Sequence, residues 1–318
     1  MPADRRSETL VRRFMAFALA AGIVVSVSAC ASGSPNASGA ACGSAAPNGN
    51  SSSTILAPQD FGTAPEVKFP LPLIAKQVEA SVLTVGKGEP LRSGQPVLVE
   101  ATILSGADGS VLQQTAYDQN GGSLFTLGDS ALPELGTGLE CVRMGSRVAV
   151  VAPAAEAEAA GASPAATVFV IDLIRAYKAK ADGAPQTPVS GLPAVVTAPD
   201  GTPGVTIPNE KAPSDFREAT LKAGSGKKIT EDMNVITKYT VVSWENATVS
   251  ESTWTTGSSA ILDLSDSATV STGLKEALVG QKVGSQIIAV LPPDLNGVGG
   301  AAGTSTLVYV VDILGLIG

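Results

Sequence analysis

The feature that most constrains this chain is an internal duplication. When the sequence is shifted by 138 positions against itself, residues 65–70 align with residues 203–208. Residues 168–172 then align with residues 308–312 at an offset of 140, so the register drifts by only two positions. An offset this constant predicts two copies of one fold. The copies are placed at 60–178 and 198–318, with an Ala-, Pro- and Gly-rich linker at 179–197 between them.

Within each copy, short β-branched runs alternate with Gly and Asp turns. Residues 97–103 and 235–241 are two such runs, and this pattern predicts strands of an antiparallel sheet. One segment per copy suits a short helix, at 133–141 and 272–278. The predicted fold class is therefore α+β, with each copy an antiparallel β-sheet wrapped on one short helix. The acidic residues Asp172 and Asp312 are expected to stabilise strand ends.

The amino terminus has the layout of an export signal. Arginines between positions 5 and 13 precede an apolar run at 14–25, and small residues lead up to Cys30. The run is shorter than the roughly 20 residues of a membrane span, so residues 1–29 are predicted to be a signal peptide. Cys30 directly follows Val-Ser-Ala, which resembles the lipobox of bacterial lipoproteins; the alternative is a chance match. The resemblance implies lipidation at Cys30 and export to the outer face of the bacterial cell membrane, where the protein is lipid-anchored.

The next segment, 30–59, is predicted to be a flexible stalk because it is rich in Ser, Gly, Ala, Pro and Asn. Two further cysteines follow the signal, Cys42 in the stalk and Cys141 in the first copy. In an oxidising compartment an even pair favours a disulfide, so we expect Cys42 to be bonded to Cys141. The alternative is two free thiols, with Cys141 buried as a small apolar residue.

The composition excludes several kinds of chemistry. The 318 residues include no histidine, the commonest general base and metal ligand. No cluster of carboxylates suggests a metal site, and no cofactor is predicted. The net charge of −8 argues against a nucleic-acid partner, because binding to phosphates needs a surplus of Lys and Arg.

The order of elements, together with four motifs in the second copy, resembles the FKBP-type peptidyl-prolyl cis-trans isomerase domain. The first copy keeps parts of the pattern but lacks the Pro-Pro turn. Together the two resemblances cover nearly everything outside the signal, stalk and linker. The four motifs are Lys238-Tyr239-Thr240 in an early strand, the helix and Val-Gly turn at 273–285, the Pro-Pro turn at 291–294 and the closing strand at 301–314.

The resemblance implies isomerisation of X-Pro bonds in proline-containing polypeptides outside the membrane. The barrier to this rotation is about 18–20 kcal/mol, because the amide C–N bond has partial double-bond character. An apolar site that disfavours the charge-separated form of the amide lowers the barrier without proton transfer, so the missing histidine is no obstacle. The alternative is a non-catalytic peptide-binding or chaperone protein. A solute-binding lipoprotein is disfavoured because βα alternation is absent.

The resemblance also assigns a substrate-binding pocket in the second copy. The family's Phe-Asp pair falls on Val249-Ser250, so its carboxylate is expected to be lost, and its later tyrosine falls near Gly297. The family's tryptophan floor is replaced by Leu274. The assigned pocket residues are Tyr239, Val249, Val270, Ser271, Leu274 and Tyr309.

In the first copy the corresponding positions hold Ala101, Leu112-Gln113, Leu135 and Phe169, so weak or no activity is expected there. The apolar residues assigned to the two pockets are equally compatible with an ordinary core. Trp244 and Trp254 are either residues that grip an extended peptide or isolated surface aromatics.

Overall fold

The chain is described from a computed structural model covering residues 46–118, 122–154, 165–266, 269–299 and 301–317. The predicted signal peptide, Cys30 and Cys42 lie outside the described residues. In the part that is described, antiparallel sheet predominates and helices are few and short. This confirms the predicted α+β class.

The first copy forms one sheet around a single short helix. Its strands lie in the order β1-β5-β6-β2-β3, and β4 pairs with the amino-terminal half of β2. The helix, α1 (Pro133–Leu139), ends two residues before the predicted end; Pro133 occupies its first turn, where a missing N–H costs nothing. The strands are β1 (Glu79–Thr84), β2 (Pro96–Ser105), β3 (Val111–Gln114), β4 (Ser123–Thr126), β5 (Arg147–Ala152) and β6 (Thr167–Ala176).

The second copy repeats this topology. Its strands lie in the order β10-β14-β15-β11-β12, with β13 paired to β11, which matches the first sheet strand for strand. The helix α3 (Thr272–Leu278) has the predicted bounds, and a four-residue helix, α2 (Thr253–Thr256), was not predicted. The strands are β10 (Arg217–Ala223), β11 (Asn234–Ser243), β12 (Thr248–Ser252), β13 (Ala260–Asp263), β14 (Gln286–Leu291) and β15 (Leu307–Ile317).

The predicted linker is partly structured, which corrects the expectation of an aperiodic segment. Strand β7 (Ala184–Pro185) extends the second sheet by pairing with β10. Strand β8 (Ala194–Thr197) forms a two-stranded sheet with β9 (Pro203–Thr206). Parts of this segment therefore form sheet hydrogen bonds. In a free linker the same backbone groups would bond to water.

The predicted stalk is shorter than expected. Residues 46–59 were assigned to it, but Ile55 is 2% exposed and packs into a core cluster of the first sheet. Ser52 is fully buried, and its hydroxyl lies 2.8 Å from the hydroxyl of Ser81 on β1. Glu79 also accepts hydrogen bonds from the backbone N–H groups of Ser51 and Ser52. This segment has few large side chains, but hydrogen bonds between its polar groups and β1 hold it on the sheet.

Each sheet buries both of its faces. One face packs on the helix, and the other, which we call the back face, is covered by the extended chain that precedes each sheet. Leu73 belongs to the covering segment of the first sheet, and Val205 and Ile207 to that of the second. The two covering segments include the first aligned motif of the duplication, so the repeated unit comprises the sheet, the helix and the cover.

A buried ion pair joins β5 and β6 on the first sheet's back face. Arg147 and Asp172 are each 0% exposed, and their atoms Nε and Oδ1 are 2.6 Å apart. Arg147 also donates to the backbone carbonyls of Gln59, Asp60 and Thr63, while the N–H of Gly62 donates to Asp172. The pair therefore fixes residues 59–63 to the sheet. Asp172 lies within β6, whereas the sequence predicts a role at a strand end for it.

The second sheet has a related arrangement at the same register positions. Gln286 replaces the arginine and donates to Asp312 at 2.7 Å, and the backbone N–H of Ala181 donates to the other oxygen of Asp312. Asp312, too, lies within its strand and is 1% exposed, so the prediction of a strand-end role is wrong for both acids. On the neighbouring strand, Glu100 of the first sheet corresponds to Lys238 of the second.

The two sheets contact each other through an apolar cluster. Leu98 of β2 and Tyr177 lie in it with Ile236 of β11 and Leu314 of β15. The ring of Tyr177 packs directly on Gly315, where an added Cβ would lie 2.2 Å from the ring. The two copies therefore share part of their core.

We expect Asp172→Ala to destabilise the chain by about 3–5 kcal/mol, because it leaves the buried guanidinium of Arg147 without its carboxylate. The matched control is Asp60→Asn, which removes an exposed carboxylate and keeps the carbonyl that accepts from Arg147. Urea unfolding followed by circular dichroism measures both. Equal midpoints for the two variants would contradict a structural role for the pair.

Candidate functional site

The candidate site lies at the amino-terminal end of α3. Ser271 caps this helix, since its hydroxyl accepts the backbone N–H of Leu274 at 3.3 Å. The turn after β14 docks on the same end, where the N–H of Gly273 donates to the carbonyl of Leu295. An added Cβ on Gly273 would lie 2.9 Å from both the Leu291 side chain and that carbonyl. Glycine therefore allows the Pro-Pro turn to approach the helix.

Two tyrosines from the sheet pack against the same core cluster as this helix. Tyr239 of β11 and Tyr309 of β15 have ring centroids 6.4 Å apart and planes inclined by 50°. Both are partly buried against the core cluster that contains Val270 and Leu274. Four of the six assigned pocket residues are thus gathered around one apolar cluster, with Ser271 at its edge.

Tyr239 is held by a carboxylate that the sequence comparison did not identify. Its hydroxyl donates to Oε1 of Glu251 on β12 at 2.5 Å. Burial raises the pKa of Tyr239, and the hydrogen bond to Glu251 raises it further because it favours the neutral phenol. Burial likewise raises the pKa of Tyr309, with a smaller contribution from the negative charge of Glu251. Both phenols are therefore neutral at physiological pH.

The structure brings Val249 to a different place from the other assigned residues. Val249 is 60% exposed on the edge strand β12 and pairs with Val242, whose side chain belongs to the back-face cluster. A bulge lies between Val241 and Val242, and it puts Glu251 opposite Val241, on the helix side. The carboxylate expected to be lost at Ser250 is supplied one residue later. Counting alternate residues from Tyr239, with one extra residue for the bulge, would have identified Glu251 as a residue of the helix side.

The hydroxyl expected to be lost near Gly297 has no replacement at that position. An added Cβ on Gly297 would lie 1.6 Å from the carbonyl oxygen of Ala301. The loop is therefore too tight there for any larger side chain. Asn296 spans the same loop, because its amide donates to the carbonyls of Leu291 and Ser305.

A backbone donor remains at the site. Within the described part of the chain, the N–H of Ser271 donates to no acceptor, whereas the N–H of Gly273 and that of Leu274 are both satisfied. Ser271 is 3% exposed and Leu274 is 6% exposed. The site thus combines an apolar surface, two aromatic rings and the N–H groups of Ser271 and Thr272, which donate to no acceptor in the described part of the chain and could donate to a carbonyl.

The first copy has the same backbone frame but only one of the two aromatics, Phe169. Thr115 bonds to the backbone of Ala101 as Thr253 bonds to that of Tyr239, so the positions correspond. Leu135 and Phe169 are buried in the helix-side core, and the exposed β3 carries the Leu112-Gln113 pair. No described side chain there reproduces the tyrosine and carboxylate pair, and the expectation of weak or no activity stays a prediction.

The two tryptophans are neither isolated nor freely exposed. Trp244 is 6% exposed in the back-face core, and its indole N–H donates to the carbonyl of Glu210 at 3.0 Å. The ring of Trp254 lies 4.8 Å from the ammonium of Lys238. Trp244 is thus a core residue, which neither interpretation of the sequence predicted, whereas a peptide-binding role for Trp254 stays a prediction.

Within the described ranges, no three or more Cys, Asp or Glu side chains are grouped so that they could hold a metal ion. Among those same residues, no helix is long and apolar enough to cross a membrane. Cys141 is disulfide-bonded, but Cys42 lies outside the described residues, so the pairing of these two cysteines stays a prediction.

No protein-family model matches the chain, and no curated protein matches it. Similar solved structures include the three FKBP domains of wheat FKBP73, with 19% identity and a TM-score of 0.29 over 76% of this chain and 94% of that one. FkpA from Escherichia coli has 24% identity and a TM-score of 0.29 over 39% and 51% of the two chains. A peptidyl-prolyl cis-trans isomerase from Pseudomonas syringae has 24% identity and a TM-score of 0.27 over 32% and 77%. TM-scores this low do not assign the chain to a family.

Proposed function

We propose that the chain is a peptidyl-prolyl cis-trans isomerase of the FKBP type, built from two tandem FKBP-like domains and active mainly through the second. The observation that carries the proposal is that Tyr239 and Tyr309 pack on the core cluster that contains Leu274, on the helix that Ser271 caps. The proposed substrates are proline-containing polypeptides. Neither a cofactor nor a metal is needed for this chemistry.

The site can act on an X-Pro amide by desolvation and hydrogen bonding. Against the apolar surface of Leu274 and Val270, the charge-separated resonance form of the amide is disfavoured, so the C–N bond twists more easily. The N–H of Ser271 is placed to bind a carbonyl of the substrate. The hydroxyl of Tyr239 already donates a hydrogen bond to Glu251, so it is not free to bind the substrate. Its ring, held in a fixed orientation, forms one side of the site. Each of these contributions is modest, and we expect weak catalysis.

The purified chain should accelerate cis-trans isomerisation of an Ala-Leu-Pro-Phe type peptide in a protease-coupled assay. Acceleration is expected because the apolar site is present. It should be weak because the hydroxyl expected near Gly297 is missing. Heat-denatured chain at the same concentration is the control. A rate equal to this control at all chain concentrations would exclude the enzyme proposal.

Replacement of Tyr239 by Ala gives the second copy the residue that the first copy has at Ala101. We expect kcat/KM to fall by about tenfold, which corresponds to roughly 1.4 kcal/mol of lost transition-state stabilisation. The matched control is Ile261→Ala, since Ile261 is exposed on β13. Activity that survives Tyr239→Ala unchanged would place catalysis outside the second site.

A second candidate function is non-catalytic binding of unfolded polypeptides. It is favoured by the burial of Ser271 and Leu274 and by the closed loop at Gly297, which leave little open space at the site. If the chain suppresses aggregation of an unfolded protein but does not accelerate isomerisation, the chaperone function is the correct one.

We also propose that the chain acts outside the bacterial cell membrane as a lipid-anchored protein. The signal-like residues 1–29 and the lipobox-like position of Cys30 support this. In the same oxidising compartment, Cys42 is the proposed disulfide partner of Cys141.

Cys30→Ala should abolish lipid attachment, because the thiol is the proposed acylation site. Metabolic labelling with palmitate, followed by separation of membranes from soluble protein, measures the effect. Cys42→Ala is the control and should remain labelled and membrane-bound. Equal labelling of Cys30→Ala and the unaltered chain would contradict the anchor.

A further inference from the structure

A cavity of about 480 Å³ lies between the first copy, the linker and the second copy. It is on the side of β11 opposite to Tyr239, because neighbouring residues of a strand face in opposite directions. The cavity belongs to neither the tyrosine cluster nor the helix end described above. Its size is within the range of small-molecule sites.

A buried lysine lines this cavity. Lys238 is 3% exposed, and its ammonium donates to the carbonyl of Gly94 at 3.1 Å and lies over the ring of Trp254. Among the described residues it forms no ion pair; the nearby carboxylate of Asp312 is occupied by Gln286 and the N–H of Ala181. A buried ammonium needs several hydrogen bonds to offset desolvation, and here one carbonyl and one ring are present.

A second donor at the cavity is also unpaired. The indole nitrogen of Trp254 is buried and has no hydrogen-bond partner among the described residues. Trp254 and Lys238 both line the cavity. A buried N–H without an acceptor is uncommon in native proteins. The indole N–H therefore lacks an acceptor, and the ammonium of Lys238 beside it has a single carbonyl acceptor and no counter-charge among the described residues.

The charges around the cavity favour an anion. Arg92, Lys180 and Lys238 line it, against the single carboxylate of Asp200. That carboxylate already accepts the N–H and the hydroxyl of Thr202. The local charge is positive, although the net charge of the whole chain is −8. The charged side chains that line this cavity therefore have the opposite sign to the chain as a whole.

We propose that this cavity is a binding site for a carboxylate group, held by the ammonium of Lys238 and the indole N–H of Trp254. One carboxylate oxygen would supply the counter-charge of the lysine, and the two oxygens together would satisfy both donors. A singly charged group with an apolar remainder suits the site better than phosphate, because Leu127 and Ala179 form part of the lining. The proposal is independent of isomerase activity.

Two sources could supply such a group, namely the carboxyl terminus of a peptide and an acidic side chain within one. Calorimetric titration of the purified chain with acetyl-Leu-Leu tests the first, and the amidated form of this peptide is its control. An amidated peptide with one internal glutamate tests the second. Saturable binding by either carboxylate peptide, absent for amidated acetyl-Leu-Leu, supports the proposal and identifies the source.

Lys238→Met removes the ammonium and keeps a chain of similar length that suits a buried position. We expect binding to weaken at least about tenfold, because a charge-assisted hydrogen bond is lost. Lys211→Met, at an exposed lysine outside this cavity, should bind as the unaltered chain does. Trp254→Phe retains the ring and removes only the N–H, and it should weaken binding about fivefold.

The Trp254→Phe variant also keeps the test decisive if Lys238→Met does not fold, which thermal unfolding would show. The proposal is overturned if neither carboxylate peptide binds up to about 10 mM. It is also overturned if inorganic phosphate alone binds, or if the folded variants bind as tightly as the unaltered chain.

Discussion

The buried pair of Arg147 and Asp172 organises the first copy. Two buried charges are costly to desolvate, and the cost is offset here by two hydrogen bonds between the guanidinium and the carboxylate and by further bonds to residues 59–63. The acceptors that complete the arginine are backbone carbonyls of residues 59–63. The chain before the sheet must therefore lie across the back face, and that same cover excludes water from the apolar clusters beside the pair.

The second copy keeps the aspartate and changes its surroundings. Gln286 takes the place of Arg147, and Lys238 takes the place of Glu100. The positive charge nearest the aspartate thus lies on β5 in the first copy and on β11 in the second. In its new position the cation no longer touches Asp312 and lies instead at the boundary with the first copy, beside the carbonyl of Gly94. The first copy thus has an internal ion pair where the second copy has a cationic group that lines a cavity.

The sequence predicted what depends on local pattern. Helix α3 has the predicted bounds because Ser271 is a good cap, and the sheets follow from β-branched runs between turns. Long-range features were missed. Asp172 looked like a strand-end residue because no pattern in β6 marks the arginine on β5 as its partner. Glu251 was overlooked because a bulge shifts its face by one residue, and the core position of Trp244 depends on a cover segment more than 30 residues away.

Tandem duplication usually gives modules that evolution can lose, reorder or exchange. Here the cluster of Leu98, Tyr177, Ile236 and Leu314 is built from both copies. Deletion of either copy would expose the apolar half that remains, so each has become part of the other's solvent shield. The two copies are therefore expected to unfold as one cooperative unit, and the first copy stabilises the second by packing whether or not it has activity of its own.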